Sequence, residues 1–160
     1  MRAIAARAGT SVGTIYNYFP SKWGLFTRVL FDRWEAVKHD VQRVAADPGL
    51  DWRGRVTGIL EVQMRYVAEN GPVWMDIEAM AGGGQRLPPG GDPAVLRQIT
   101  DWLIAEVVGV LAGADHERWR RHPERERLAL ALVSAAAALA RRRPGETEQN
   151  ADFLRALLAA

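Results

Sequence analysis

Thr10, Ser11, Gly13, Thr14, Tyr16, Asn17, Tyr18 and Lys22 crowd hydrogen-bonding groups into a stretch with no acidic side chain. Hydroxyls, phenols, a carboxamide and an ammonium, with no imidazole or thiol beside them, are poorly suited to proton transfer and well suited to gripping a polar or anionic surface. Asn17 has the chemistry for sequence reading, because a carboxamide pairs bidentately with adenine N6 and N7. The bland alternative for it is a surface Asn on a short helix, and for Ser11 an N-cap that needs no ligand.

These groups need elements to aim them. A short helix over about Arg2 to Ala8 meets Gly9, which can turn the chain with positive φ, and Ser11 can cap the next helix. From that cap Val12, Ile15 and Phe19 share one face, while Gly13, Thr14, Asn17 and Tyr18 project from the other and Tyr16 sits on the flank. Tyr16 has a second reading as a partly packed ring with a wet hydroxyl. Glycine inside a helix costs about 1 kcal/mol against alanine, so Gly13 points to close approach of its backbone to DNA or to the neighbouring helix. Two helices joined by a tight turn, the second with a small and polar outer face, fit a helix-turn-helix whose second helix reads base edges. Pro20 ends that helix. A third begins behind Ser21 and Lys22, where a phosphate would meet free N–H groups, the positive end of the helix dipole and a lysine.

Charge agrees. Residues 1–28 hold Arg2, Arg7, Lys22 and Arg28 and no Asp or Glu, a local charge of +4, while the rest of the chain sums to −2. The overall +2 hides a basic end suited to phosphate.

The string Ile-Ala-x-x-Ala-Gly-x-Ser-x-Gly-Thr-x-Tyr-x-Tyr-Phe-x-x-Lys, residues 4–22, resembles the TetR family of bacterial transcriptional regulators. The resemblance is tight over about 25 residues and elsewhere rests only on a run of helices of suitable length. It implies that Thr14, Tyr16, Tyr18 and Lys22 hold phosphates and that Gly13 and Asn17 face the bases, with Thr10 and Ser11 completing the contact set. The family carries a further helix before this unit, packed across it, for which the chain as it starts at Met1 has no room. A missed upstream start, a trimmed version and a natural truncation all account for this, and a misplaced start is the expectation. The alternative function is a dimeric ligand-binding or interaction module that has lost DNA binding.

The expected fold is all-α: a helix-turn-helix segment over 1–28, then a helical ligand-binding and dimerisation domain over 29–160. Trp23, Phe26, Leu30, Trp34, Val37, Val41 and Val44 mark a long amphipathic helix from Lys22 to about Ala46. Asp47-Pro48-Gly49 ends it. Trp52, Val56, Ile59, Leu60 and Val67 define the next, with Glu61–Arg65 and Arg65–Glu69 pairs on its outer side. A shorter helix is expected over Val73–Ala81, then a Gly- and Pro-rich connector that is no phosphate loop, since no strand precedes it and no Gly-Lys-Ser/Thr follows. Asp92 can cap a helix over Pro93 to about Ala112, with Leu96, Ile99, Trp102, Leu103, Val107, Val110 and Leu111 inward.

Residues 128–140 are apolar or small on every side, and such a helix needs cover all round; a bilayer would need about 20 residues. One side is expected to pack on its own core and the other on a second copy, with Phe153, Leu154, Leu157 and Leu158 striping the last helix. The last two helices, about 124–143 and 147–159, would then pair with their symmetry mates as a four-helix homodimer interface. The alternative is a monomer with a loose last helix. A dimer would set two reading helices about 34 to 36 Å apart on a near-palindromic operator. The resemblance further implies repression relieved by a small apolar or aromatic effector that tilts the long helix, with Met64, Tyr66, Trp74, Met75 and Trp102 as candidate pocket residues. Plain core packing is the competing role for each of these.

Enzyme chemistry finds no footing. The chain has no cysteine, which removes thiolate metal sites, cysteine nucleophiles and disulfides. His39, His116 and His122 do not share i, i+4 spacing, and neither His-Glu-x-x-His nor Gly-x-Ser-x-Gly occurs. The run Asp115 to His122 reads as a solvated connector, with metal binding remote. No cofactor motif and no signal peptide are present, so the expectation is a cytoplasmic DNA-binding protein without a cofactor.

Overall fold

The computed structural model describes residues 1–71, 93–114 and 124–159, and all regular structure among them is helical. Seven helices are described: α1 (Arg2–Arg7), α2 (Val12–Tyr18), α3 (Lys22–Ala45), α4 (Trp52–Glu69), α5 (Pro93–Ala112), α6 (Arg125–Arg142) and α7 (Thr147–Ala159). The expected helix at 73–81, the connector after it, the Asp92 cap and the charged run at 115–122 lie outside the described residues.

Local chemistry sets the boundaries. Ser11, Ser21 and Asp51 each accept a hydrogen bond from the backbone N–H three residues on, at 3.0, 3.0 and 2.8 Å, capping α2, α3 and α4. α1 closes through Gly9, at φ 62°, the conformation glycine adopts without a Cβ penalty. Thr10 N–H then donates to Ala5 C=O at 3.0 Å and Gly9 N–H to Ala6 C=O at 3.3 Å, the paired bonds of a Schellman stop.

α4 is the centre of the bundle and touches α3, α5, α6 and α7, while α6 also packs on α5 and α7. Val56, Ile59, Leu60 and Met64 of α4 are fully enclosed, as are Trp34 and Leu30 of α3, Val107 and Leu111 of α5, Ala129 and Ala136 of α6 and Leu154 of α7. Side-chain to backbone bonds tie the layers: Gln63 Nε2 donates to Val133 C=O at 3.0 Å and Arg53 Nε to Leu158 C=O at 2.9 Å. On the outer side of α4, Arg65 reaches Glu61 at 3.4 Å. The expected Arg65–Glu69 pair does not form, because the guanidinium lies toward the preceding turn, and an exposed pair of this kind adds little in either direction.

One glycine fixes how closely two helices meet. A Cβ on Gly58 of α4 would lie 2.6 Å from Cγ1 of Val44 on α3, so the backbones of these helices approach through the missing side chain.

α6 and α7 have divided faces. Ala129, Leu132, Val133, Ala136 and Ala140 turn inward, while Leu130 (48% exposed), Phe153 (54%) and Leu157 (55%) stand in the open. No helix among the described residues is long and apolar enough to cross a membrane.

Candidate nucleic-acid interface

α1 and α2 pack against each other, and Ala5 of the first and Ile15 of the second are buried. Val12 and Phe19, the other inward positions of α2, are half-buried. The opposite face carries Gly13, Thr14, Asn17 and Tyr18, all exposed, and Tyr18 is 78% accessible. Tyr16 is 46% exposed, which fits the flank rather than the core.

The polar groups on this face differ in how occupied they are. Ser11 Oγ accepts from Thr14 N–H and also lies 2.8 Å from Thr14 Oγ1, so these two hydroxyls form a local unit at the start of α2. Asn17, Tyr16 and Tyr18 make no hydrogen bond to the described residues, which leaves a carboxamide and two phenols available to an outside partner. Lys22, one residue past the Ser21 cap, has its ammonium 5.0 Å from the Phe26 ring and no carboxylate partner among the described residues. It therefore adds a free cation to the positive end of α3.

Gly13 has no internal reason to be glycine. A Cβ there would meet only Ser11 Oγ, at an ordinary 3.6 Å, so approach to the neighbouring helix does not explain it. What remains of that expectation is approach from outside.

The basic surface is smaller than the charge count implies. Arg28 pairs with Asp32 at 3.0 Å, one helical turn beyond the window that gave +4. Arg2, Arg7 and Lys22 have no ion-pair partner among the described residues.

Three of the five candidate pocket residues, Met64, Tyr66 and Trp102, lie among the described residues. Met64 is wholly enclosed in the core of α4. Tyr66 is 3% exposed, its hydroxyl donates to Leu30 C=O at 2.8 Å, and burial drives its phenol far above the ordinary range despite the opposing influence of Arg33. Trp74 and Met75 lie outside the described residues. Trp102 of α5 borders an opening, a cleft of about 170 Å³ shared with Phe31, Trp34, Lys38, Gln98 and Ile99. Phe31, Trp34 and Lys38 fall at i, i+3 and i+7 on α3, a spacing that signals one shared face but not that a cleft opens there. A wider, shallow groove of about 630 Å³ runs along α5 and α6 past Ile104, Val108 and Leu130. No cluster of metal-binding side chains occurs among the described residues.

Residues 1–29 match the family model described as bacterial regulatory proteins, tetR family. That segment ends inside α3 and contains every residue of the exposed polar face. No curated protein and no solved structure matches the chain.

Proposed function

We propose that this chain, a TetR-type transcriptional regulator by its residues 1–29, acts as a repressor that is released from a palindromic operator by a small molecule. The observation that carries the reading is the α2 face. Asn17 and Tyr18 stand unpaired on a capped helix of seven residues, with the free Lys22 ammonium at the head of the next helix. α2 would enter the major groove, with Asn17 on a base edge and Gly13 allowing the backbone close. Thr10, Ser11, Thr14, Tyr16, Tyr18 and Lys22 would hold phosphates on either side.

Residues 1–28 serve as the reading unit in this proposal and 29–160 as the regulatory and dimerisation unit. The exposed Leu130, Phe153 and Leu157 supply an apolar surface on α6 and α7 for a second copy, which sets the two reading helices in register. α3 runs unbroken from Lys22 to Ala45, so a change at its regulatory end moves the reading end as a lever. The effector must bind better to the form that fits DNA poorly. A cytoplasmic, non-enzymatic role follows from the same reading.

A second reading, a dimeric module without DNA binding, is favoured by exposed apolar side chains in and next to the reading unit, Ile4 at 36% and Val29 at 45%. Selection from random duplexes decides between them. A regulator enriches one near-palindrome, and Asn17→Ala then relaxes preference at one base position by about 1 to 3 kcal/mol. Enrichment of nothing by a dimeric chain favours the second reading, and equal losses on all sequences for Asn17→Ala remove it as a base reader.

A further inference from the structure

Trp34 is 1% exposed, yet its indole Nε1–H, a hydrogen-bond donor, has no acceptor. Buried polar groups are normally paired, and one that is not calls for an explanation. Trp34 is also one wall of the cleft of about 170 Å³ between α3 and α5. Trp34 therefore brings a buried ring with an unmet donor to the layer of side chains that borders the opening.

The other walls carry a consistent chemistry. The Trp34 and Trp102 rings meet edge to face with centroids 5.6 Å apart. The Lys38 ammonium stands 5.9 Å from the centre of Phe31 and 5.8 Å from that of Trp102, between two rings. One of its three donors goes to Glu35 at 2.7 Å, a carboxylate that is itself half in solvent. Aromatic walls and a cation, with no carboxylate among the lining residues, favour a guest that is flat, apolar and anionic at one end. Size narrows it further, because a cavity of about 150 Å³ is enough for one benzene ring.

We propose that the cleft binds a single-ring aromatic carboxylate, its ring beside Phe31, Trp34 and Trp102 and its carboxylate on the Lys38 ammonium. The guest bridges α3, which leads to the reading unit, and α5. This names the ligand class for the effector reading above and rests on it only for the regulatory consequence.

The test uses the whole chain without DNA, with benzoate as probe and benzyl alcohol as its neutral counterpart, followed by calorimetry and by the indole N–H resonances of ¹⁵N-labelled tryptophan. Benzoate is expected to bind at least about tenfold more tightly than benzyl alcohol, since a hydrogen bond to a charged group is the stronger kind. One indole resonance, assigned through Trp34→Phe, should shift as benzoate fills the cleft beside that ring. Lys38→Met, which keeps most of the stem, should weaken benzoate about tenfold and leave benzyl alcohol unchanged, the latter confirming an intact cleft. Glu35→Gln should tighten benzoate by removing a competing anion, an effect that a merely structural lysine would not give. Equal affinity for both probes, undiminished benzoate binding by Lys38→Met, or no binding up to about 10 mM overturns the proposal. Benzoate binding that leaves operator affinity unchanged supports the ligand class and counts instead against release by an effector at this cleft.

Discussion

Replacing Gly58 by alanine tests whether the close approach of α3 and α4 is what holds α3 to the core. Gly58 lies within α4 at negative φ, so alanine has no backbone penalty there and gains about 1 kcal/mol of helix propensity. Against that, its Cβ would sit 2.6 Å from Val44 Cγ1, about 1 Å inside the optimal separation of two carbons. Val44 is β-branched and stiff at χ1, so the methyl cannot simply swing aside. Overpacking of this kind costs about 1 to 3 kcal/mol, and the net expectation for Gly58→Ala is a loss of about 0 to 2 kcal/mol. Val44→Ala removes the clashing methyl, and with it gone the propensity term stands alone. Gly58→Ala should therefore become stabilising by up to about 1 kcal/mol in the Val44→Ala background. That reversal of sign is the signature, a coupling of about 1 to 3 kcal/mol between residues fourteen apart in sequence. Urea unfolding of the four proteins followed by far-UV circular dichroism at one fixed concentration measures it, with each kcal/mol worth about 2 to 4 °C in a parallel thermal scan. Additivity within about 0.5 kcal/mol would refute the contact, and with it the claim that α3 and α4 move as one.

Lys22→Ala should weaken binding to every duplex alike and lower the salt slope of log K by about 1, read by fluorescence anisotropy at several salt concentrations; a loss confined to one sequence would make Lys22 a base reader. Leu157→Glu places a charge on the open face of α7 and should reduce the sedimenting mass to that of a monomer while helix content is retained. An unchanged mass would move the dimer surface away from α7. Tyr66→Phe removes the bond to the Leu30 carbonyl and should cost about 0.5 to 1.5 kcal/mol in urea unfolding. No loss there would mean that the ring contact with Trp34, centroids 5.3 Å apart, carries the whole α3–α4 junction at that level.

What was legible in the sequence is what chain-local chemistry decides. Gly9, Ser11 and Ser21 act on residues within one turn of themselves, and the start of α3 and the stop of α1 follow from them directly. The inward stripe of α4 is likewise as its spacing predicts, from Trp52 to Val67. The division of α6 was visible only as a demand for cover on all sides, because alanines at every position do not announce which of them face the core. Ala129, Ala136 and Ala140 are buried, and Ala131 and Ala138 are not.

What escaped depends on residues distant in sequence. Gly58 reads as a mild flaw in a helix until Val44 is laid against it. Trp34 reads as part of a core-facing stripe to which Phe31 and Lys38 do not belong, and only α5 lying across all three shows that this face stops short of closure and leaves a cleft. Met64 and Tyr66, soft or aromatic enough for a pocket, take the competing role of core, the bundle enclosing the first and committing the hydroxyl of the second. The local charge of +4 is offset at Arg28 for a simpler reason, since Asp32 follows four residues later on the same helix face.

These long-range contacts bear on how a signal would travel. Below the reading unit, α3 is fastened at three levels: Arg33 Nη1 to Asn70 Oδ1 at 2.8 Å, Tyr66 to the Leu30 carbonyl, and the Val44–Gly58 contact near its far end. All three partners belong to α4 or its C-cap, so α3 and α4 behave as a pair. The contact of α3 with α5 is where Trp34 faces Trp102 and the cleft opens, and it carries no hydrogen bond among the described residues. A guest that shifts α3 must therefore carry α4 with it or break one of the three ties. Pivoting of the α3–α4 pair about α5 keeps those three ties, and it also draws α6 and α7 along through the Gln63–Val133 and Arg53–Leu158 bonds, so that Lys22 and the α2 face would swing with the bundle core rather than by deformation of α3.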